Sequence, residues 1–312
     1  MTAVTGFVDR TGRGLIRVLG PDRISFLQGM LSNDVAALRP GQGCRALMLT
    51  VKGKLVADLF VYVREADVLL ETDEGRAAPL ASVLEGHLVM EDALVRDETA
   101  NLGVLALLGP KAFEVAGLAP LLPYEHRPAG EALAAGMAYT AAPGLHLIAP
   151  RERIPALVSG AERAGAVPLS ELDVEAMRIE AGWPRWGHEL GEDTIALEAG
   201  LSDALSFTKG CYTGQEVIAR VSARGHVNRK LVGLAIDGRE PPAPGTVLAG
   251  DGRPEAARVT SSCESSRLSG TIALAYAFRT HAAPGTELLL PDGRHAHVVA
   301  LPFSADPVRA GD

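Results

Sequence analysis

The stretch SFTKGCYTGQEVIAR, residues 206–220, places Cys211 directly after Lys209-Gly210, with Gly214 close behind. The glycines let this loop bend tightly and bring its backbone close to a ligand. A lysine next to a cysteine would favour the thiolate form, which makes a chemical role one of the options for Cys211. No histidine and aspartate are arranged around the cysteine within this stretch as a catalytic triad. Packing, nucleophilic catalysis, metal ligation and a binding loop therefore all remain open for Cys211.

The composition predicts a globular protein of two or three domains. The chain has 312 residues, and 47% of them are hydrophobic, which is enough for real cores. The formal net charge of −8 argues against broad nucleic-acid binding, because such binding needs a basic surface. The N-terminal residues contain no apolar leader, and the best apolar run, at 102–109, is too short to cross a bilayer. We therefore expect a cytoplasmic protein that does not associate with membranes.

The cysteines, at positions 44, 211 and 263, lie far apart in the sequence. This spacing is not typical of a disulfide framework or of a CxxC metal site. A held iron–sulfur cluster usually needs about four thiolates, whereas this chain offers one plausible cysteine ligand. We therefore expect no metal site and no stably bound cluster in the monomer.

Three regions of the chain differ in the secondary structure that their sequence predicts. Residues 14–95 mix strands and helices, and residues 100–170 look like a second α+β unit. From residue 230 onward, short apolar runs are separated by turns such as APG, GDG and PDG. Such regular spacing is typical of a small β-barrel.

The run LVADLFVYV, residues 55–63, has the alternation of a β-strand. Its odd-numbered side chains share one face, while Val56, Asp58, Phe60 and Tyr62 share the other. Asp58 is the only charged residue of the strand. It lies either on a solvated face or in an aromatic-lined cavity, where a carboxylate can hydrogen-bond a heterocycle or take a proton.

The stretch ELDVEAMRIEAGWPRWGHEL, residues 171–190, predicts a helix that ends at Gly182 and carries Glu180 in its last turn. The helix dipole disfavours an anion there by roughly 0.3–1 kcal/mol. Glu180 is either a surface residue paired with a neighbour or a carboxylate aimed at the paired N–H donors of a pterin or guanine ring. The only two tryptophans, Trp183 and Trp186, follow at once. They belong either to the core or to one wall of a pocket for a flat ligand.

A locally basic segment runs from residue 209 to residue 230. It contains five Lys or Arg residues and one acid, Glu216. The chain as a whole is acidic, so the local positive charge at Arg220, Arg224 and Arg229 favours a phosphate or polycarboxylate partner. An ordinary solvated helix end is the alternative.

The run KGCYTGQE, from Lys209 to Glu216, resembles the signature of the YgfZ proteins, which are folate-binding relatives of the glycine-cleavage T-protein (aminomethyltransferase). The resemblance spans nearly the whole chain and is weakest from about residue 100 to 170. The other similar stretches are residues 19–35, 47–62, 178–190 and 245–276.

The resemblance implies an α+β, three-domain T-protein-like fold around a central channel. It implies a folate-binding α+β domain of residues 1–100 and 171–225, interleaved with a ferredoxin-like α+β domain of residues 101–170, and a C-terminal β-barrel of residues 226–312. It implies tetrahydrofolate, or a one-carbon derivative, in the channel. It also implies an accessory role in assembling or repairing iron–sulfur client enzymes, including one that modifies tRNA.

The resemblance also assigns individual residues. Glu180 matches a glutamate that binds the pterin ring, with Trp186 beside it. Asp58 lies where the aminomethyltransferases carry an Asp-Asp pair, here Ala57-Asp58, and is assigned to the cofactor and, with Cys211, to catalysis. The motif residues are Lys209, Gly210, Tyr212, Gly214, Gln215 and Glu216, of which Tyr212 and Gln215 are assigned to the cofactor.

Two alternatives to the accessory role remain. The first is a tetrahydrofolate-dependent aminomethyltransferase or related one-carbon transferase, which needs an acid near the folate nitrogens. The second is a non-catalytic module that docks a protein or tRNA through residues 209–230. Cys211 and Gln215 differ from the aminomethyltransferases, whose equivalent loop lacks the cysteine and usually carries arginine at the second position. These differences favour the YgfZ branch.

Overall fold

The structure, a computed structural model, describes residues 4–223 and 225–304. The strands, in chain order, are β1 (Gly6–Asp9), β2 (Gly14–Leu19), β3 (Gly43–Leu49), β4 (Leu55–Val63), β5 (Val68–Thr72), β6 (Leu94–Asp97), β7 (Leu102–Leu108), β8 (His126–Ala129), β9 (Ala132–Gly136), β10 (Gly144–Pro150), β11 (Val167–Pro168), β12 (Arg229–Ile236), β13 (Val247–Gly250), β14 (Arg253–Ser265), β15 (Gly270–Phe278), β16 (Glu287–Leu289) and β17 (His295–Val299). The helices are α1 (Arg23–Met30), α2 (Ala77–Gly86), α3 (Ala112–Val115), α4 (Ile154–Arg163), α5 (Glu171–Glu180) and α6 (Gln215–Ala223).

The strands form two open sheets and one closed barrel. The first sheet has the order β3-β4-β5-β2-β6, and the second has the order β11-β1-β7-β10-β9-β8. The barrel has the order β12-β15-β14-β13-β16-β17, which confirms the β-barrel predicted for the C-terminal region. Among the described residues, no helix combines the length and the apolar character needed to cross a bilayer.

The two open sheets pack face to face between outer layers of helices. The outer face of the first sheet is covered by α1 and α2, and that of the second by α3 and α4. The strand at 55–63 divides as its alternation predicts: Ala57, Leu59 and Val61 face the helices, whereas Phe60 and Tyr62 face the second sheet. Asp58 therefore points toward the space between the sheets.

The sheets differ from the expected domain ranges in one place. β1 lies within the range 1–100 expected for the first domain, but it pairs antiparallel with β7 and parallel with β11 in the second sheet. Its Phe7 packs in the core of that sheet. The two α+β units are thus interleaved at the N-terminus as well, because the chain begins in the second sheet before it builds the first.

α5 joins the two-sheet body to the barrel. Ser170 and Asp173 form a capping box at its start, and Gly182, with φ of +67°, turns the chain away after its end. Ile179 packs against Leu274 and Phe303 at the barrel. This helix therefore fixes the barrel relative to the space between the two sheets.

Candidate functional site

A cavity of about 430 Å³ opens between the two sheets, α5 and the segment that follows α5. Its lining combines acids, arginines and aromatic rings: Asp9, Asp58, Asp73, Glu74, Glu171, Glu175, Arg10, Arg13, Arg178, Arg185, Phe60, Tyr139, Trp183 and Trp186, with Gly12, Val174 and Pro184. The structure thus brings Asp58 and Trp186, two of the residues predicted from sequence, to one cavity. Such a mixture suits a flat ligand that carries both N–H donors and anionic groups.

Asp58 is buried and held by Arg45 of the neighbouring strand. The Arg45 Nε lies 2.9 Å from Asp58 Oδ1, and Nη2 lies 2.6 Å from Oδ2, so the contact is bidentate. Burial raises the pKa of Asp58, although the Arg45 guanidinium opposes the shift. The carboxylate still has acceptor positions beyond the two that the guanidinium uses, since an ionised carboxylate offers about four.

Aromatic rings form one wall of the cavity. Phe60 lies parallel to Tyr139, with ring centroids 6.2 Å apart, and Trp183 meets Phe60 edge-on at 6.1 Å. Arg45 stacks 3.7 Å from the centroid of Trp183, and Arg76 stacks 3.8 Å from that of Trp186. A guanidinium therefore covers one face of each tryptophan and fixes the orientation of the ring. The contact does not use the opposite face of the ring.

Arg13 and Asp73 connect the cavity to a buried acid. Arg13 Nε donates to Glu71, which is fully buried, and Arg13 Nη1 lies 3.0 Å from Asp73 Oδ1. The other oxygen of Asp73 accepts the backbone N–H of Trp186 at 3.0 Å. This chain of contacts ties the loop that carries the tryptophan to the first sheet.

Arg178 of α5 connects three parts of the molecule. Its guanidinium contacts Glu175 and Glu189 and donates to Ser261 Oγ of the barrel at 2.7 Å. It also donates to the backbone carbonyl of Trp183. These buried contacts hold the cavity wall, α5 and the barrel in one arrangement.

Glu180 does not line the cavity. It follows Arg178 by two residues, which is a rotation of roughly 200° around the helix, so its side chain points to the barrel. There its carboxylate accepts from Ser265 Oγ and lies 2.6 Å from Arg267 Nε. The structure gives Glu180 a role in holding α5 on the barrel, in place of the exposed or ligand-facing positions considered from sequence.

The motif loop lies against the first sheet, outside the residues that line the cavity. Lys209 is buried, and its ammonium donates to the carbonyls of Gln28, Leu31 and Asn33 at 2.6, 2.7 and 2.9 Å. These carbonyls lie at and just beyond the C-terminal end of α1. The lysine therefore fastens the loop to this helix end.

The other motif residues divide between packing and exposure. Tyr212 is buried in a core beside β3, and Gly214, with φ of +84°, places its Cα where a Cβ would lie 2.6 Å from the carbonyl oxygen of Thr50. Gln215 is half-buried at the start of α6. The exposed members of the motif are Gly210, Cys211 and Glu216.

The basic residues predicted as a patch differ in their surroundings. Arg229 lies 2.7 Å from Glu198 and stacks on Tyr276, so an acid already neutralises it. Arg220 is exposed on α6. Arg224 lies outside the described residues. The anion-binding patch stays a prediction.

Comparisons with known proteins agree with this architecture. The family model of the GCVT N-terminal domain matches residues 2–123, and that of the glycine cleavage T-protein C-terminal barrel domain matches residues 229–304. The aminomethyltransferase of Streptomyces coelicolor is 32% identical over 96% of this chain and 86% of its own length. The chain belongs to the glycine-cleavage T-protein family.

Other members of the family extend this result. The aminomethyltransferase of Rubrobacter xylanophilus is also 32% identical, over 96% of this chain and 82% of its own. The crystal structure of the glycine cleavage system aminomethyltransferase T from Bartonella henselae matches with a TM-score of 0.89 at 25% identity, over 98% of this chain and 88% of that one. The T-protein-like α+β fold with its C-terminal barrel is confirmed, whereas the YgfZ branch of the family stays a proposal.

Sequence reasoning missed several residues of this T-protein family member's cavity and its surroundings. Arg45, Glu71 and His146 are each the single basic or acidic residue of an otherwise mostly apolar strand. All three are buried. An ionisable side chain in a buried strand needs a partner, so this pattern was the available signal. Which partner each one meets depends on strand register and sheet packing, which the sequence does not display.

Proposed function

We propose that the cavity binds tetrahydrofolate and that the protein is a tetrahydrofolate-dependent one-carbon transferase related to the aminomethyltransferases. The observation that carries the proposal is the buried Asp58 carboxylate beside the rings of Phe60, Trp183 and Trp186 in one cavity. Aromatic faces stack on a flat heterocycle, and a carboxylate accepts its N–H donors. Membership of the T-protein family supports the same ligand.

The charges at the cavity suit the rest of such a ligand. Arg10 and Arg185 are partly exposed cavity residues, and each already contacts an acid, Glu171 and Glu175 respectively. Exposed ion pairs of this kind exchange partners at little cost, since each contributes about 0–1 kcal/mol. The two arginines are therefore suited to the carboxylates of a folate glutamate tail.

Asp58 is the residue best placed to act on a proton. Tetrahydrofolate, when bound, supplies the nitrogens that carry the one-carbon unit. A buried carboxylate whose pKa is raised can hold a proton closer to neutral pH, which favours general acid–base work. Arg45 orients the carboxylate, and Trp183 in turn stacks on the Arg45 guanidinium. Asp58 thus both orients a donor-bearing ring and accepts a proton from it.

Calorimetric titration of tetrahydrofolate tests the binding. We expect Asp58→Asn to weaken affinity by roughly 10-fold or more, because the replacement amide cannot accept on both sides and disturbs the pairing with Arg45. Glu180→Gln is the matched control, since it also removes one buried carboxylate charge paired with an arginine but faces the barrel. Equal loss of affinity in both variants, or no binding by the wild type, would reject the assignment of the cavity.

Turnover tests the transfer step separately. We expect tetrahydrofolate-dependent turnover of aminomethyl-lipoyl protein or of a methylated glycine. Binding of tetrahydrofolate without turnover of any such amine would remove the transferase proposal and leave a folate-binding protein.

The second candidate function is an accessory role for iron–sulfur enzymes, including tRNA-modifying ones, with Cys211 as a working residue. It is favoured by the exposure of this thiol on the motif loop, away from the cavity lining. In cells that depend on the protein, Cys211→Ala would then abolish iron–sulfur enzyme activity while folding and folate affinity stay intact. Cys263→Ala, at a half-buried position in β14, is the control. Full cellular function of Cys211→Ala would exclude a chemical role for the thiol.

A further inference from the structure

A buried acid, a histidine and a tyrosine form a continuous chain that ends at the cavity. Glu71 and His146 are fully buried, and Glu71 Oε1 lies 2.7 Å from His146 Nδ1, an ion-pair distance at which the side-chain angles fall outside those of a hydrogen bond. The opposite ring nitrogen, Nε2, lies 2.8 Å from the hydroxyl of Tyr139. Tyr139 lines the cavity. The three residues come from β5, β10 and the segment between β9 and β10, so only the packing of the two sheets brings them together.

The contacts of Glu71 determine how the histidine is protonated. Burial alone would raise the pKa of Glu71, but His146 and Arg13 beside it lower the pKa to about 2, so the acid is ionised. Tyr62 donates to its other oxygen at 3.0 Å. An ionised carboxylate only accepts hydrogen bonds, so the nitrogen that faces it carries the proton. In a neutral imidazole Nε2 is then an acceptor, and the Tyr139 hydroxyl donates to it.

The surroundings of Tyr139 keep its proton in place at rest. Burial raises its pKa, which the nearby Arg13 and Arg10 oppose and Glu71 and Asp73 assist. The neutral Tyr139 phenol donates its proton in a hydrogen bond to His146. Its oxygen can therefore still accept a hydrogen bond from a donor in the cavity. The geometry resembles the nucleophile–base–acid order of hydrolytic triads, in which a buried acid orients a histidine and stabilises its charged form.

We propose that Tyr139, His146 and Glu71 form a proton relay that serves the cavity during one-carbon transfer. The relay rests on the proposed function. A ligand N–H that faces Tyr139, other than the one that Asp58 accepts, would give its proton to the Tyr139 oxygen while the phenol proton passes to His146 Nε2. The N–H electron pair would stay on the nitrogen for its bond to the transferred carbon, and each bond that breaks at that carbon would leave its pair on the departing amine or thiol. The same path in reverse would return the proton to the departing group, so protons and electrons balance without an oxidant.

In this relay Tyr139 is the catalytic residue, and His146 and Glu71 are positioning residues. Turnover should fall by about 10²–10⁴-fold in Tyr139→Phe and in His146→Gln. The double variant should lose little more than either single variant, because residues that act as a unit are not additive. In both variants the loss should appear in kcat with KM nearly unchanged, a split that a general structural disturbance would not produce. Tetrahydrofolate affinity, measured by calorimetry, should stay within about threefold in Tyr139→Phe.

Tyr124→Phe is the matched control for the loss of a phenol. Tyr124 lies beside the same Phe60 ring, at 5.5 Å, but is not in the relay. We expect its turnover and pH profile to match the wild type. Thermal midpoints of all variants show whether each one is folded, and Tyr139→Phe, which loses one atom, remains informative if His146→Gln does not fold.

The tautomer of His146 tests the relay independently of turnover. Nitrogen-15 NMR of histidine-labelled protein should show Nδ1–H and an Nε2 resonance that moves in Tyr139→Phe. An Nε2–H tautomer would overturn the relay, as would wild-type turnover and pH profile in Tyr139→Phe. Wild-type protein that turns over no amine would instead reject the proposed transfer, and the tautomer would still decide whether the chain of contacts can conduct a proton.

Discussion

Replacement of Lys209 by methionine tests whether the motif lysine has a structural role. The ammonium donates three hydrogen bonds to backbone carbonyls at 2.6–2.9 Å, and the side chain is buried. Methionine keeps the apolar stem and removes the donors. The three carbonyls, which lie at and beyond the end of α1, would lose this partner.

The size of the effect follows from these contacts. A hydrogen bond from a charged donor contributes about 1.5–3 kcal/mol, so three such bonds together contribute about 4.5–9 kcal/mol before the cost of burial. Burial of the ammonium offsets part of this gain, since it lowers the pKa of Lys209 to about 8. We therefore expect Lys209→Met to reduce the free energy of unfolding by about 3 kcal/mol.

Urea denaturation followed by circular dichroism measures this difference. Lys52→Met is the control, because Lys52 is exposed in the turn between β3 and β4 and should change stability by less than about 0.5 kcal/mol. If Lys209→Met were as stable as Lys52→Met, the hypothesis that Lys209 stabilises the fold would be refuted. The lysine would then have to be explained by its effect on the neighbouring thiol.

Further predictions concern acid stability, the motif glycine and the cysteines. Because the folded pKa of Glu71 is about 2 against a usual 4.5, its stabilisation should be complete above pH 4.5 and lost toward pH 2, so Glu71→Gln should abolish about 3 kcal/mol of acid-dependent stability in pH-jump unfolding. Gly214→Ala should lower the thermal midpoint by several degrees, because its Cβ would meet a carbonyl oxygen at 2.6 Å with φ at +84°. Iodoacetamide followed by mass spectrometry should label Cys211 first, since it is exposed, whereas partial burial raises the pKa of Cys44 and Cys263 to about 12. Preferential labelling of either half-buried thiol would contradict the described loop.

The layered part of the fold was predictable because it follows from local periodicity. The alternation at 55–63 is sufficient to separate helix-facing from sheet-facing side chains, since a strand presents successive residues to opposite faces. The turn-rich C-terminal region likewise predicts a barrel. The identity of β1 as part of the second sheet was not predictable, because four residues carry no signal for the partner strand.

The cavity was predictable only in part. The sequence indicated Asp58 as the only charged residue of a strand and Trp186 as an aromatic residue that follows a helix. The contact between Arg45 and Asp58 depends on the register of β3 with β4, in which Arg45 lies opposite Phe60 and Asp58 opposite Leu47, so the two are diagonal neighbours. Glu180 was assigned to the ligand by the family resemblance. The sequence shows that it lies in the last turn of α5 but not which face of α5 meets the barrel. Lys209 reaches acceptors some 180 residues earlier, which no local pattern reveals.

Tryptophan fluorescence shows whether tetrahydrofolate enters the cavity, because the only two tryptophans of the chain, Trp183 and Trp186, both line it. We predict that tetrahydrofolate quenches this fluorescence saturably, with the same dissociation constant as calorimetry gives, in wild type and in Glu180→Gln, and that Trp186→Phe loses part of the signal. Free tryptophan amide corrects for light absorbed by the ligand. Calorimetric binding that leaves the fluorescence of both tryptophans unchanged would place the ligand elsewhere and exclude this cavity as the folate site.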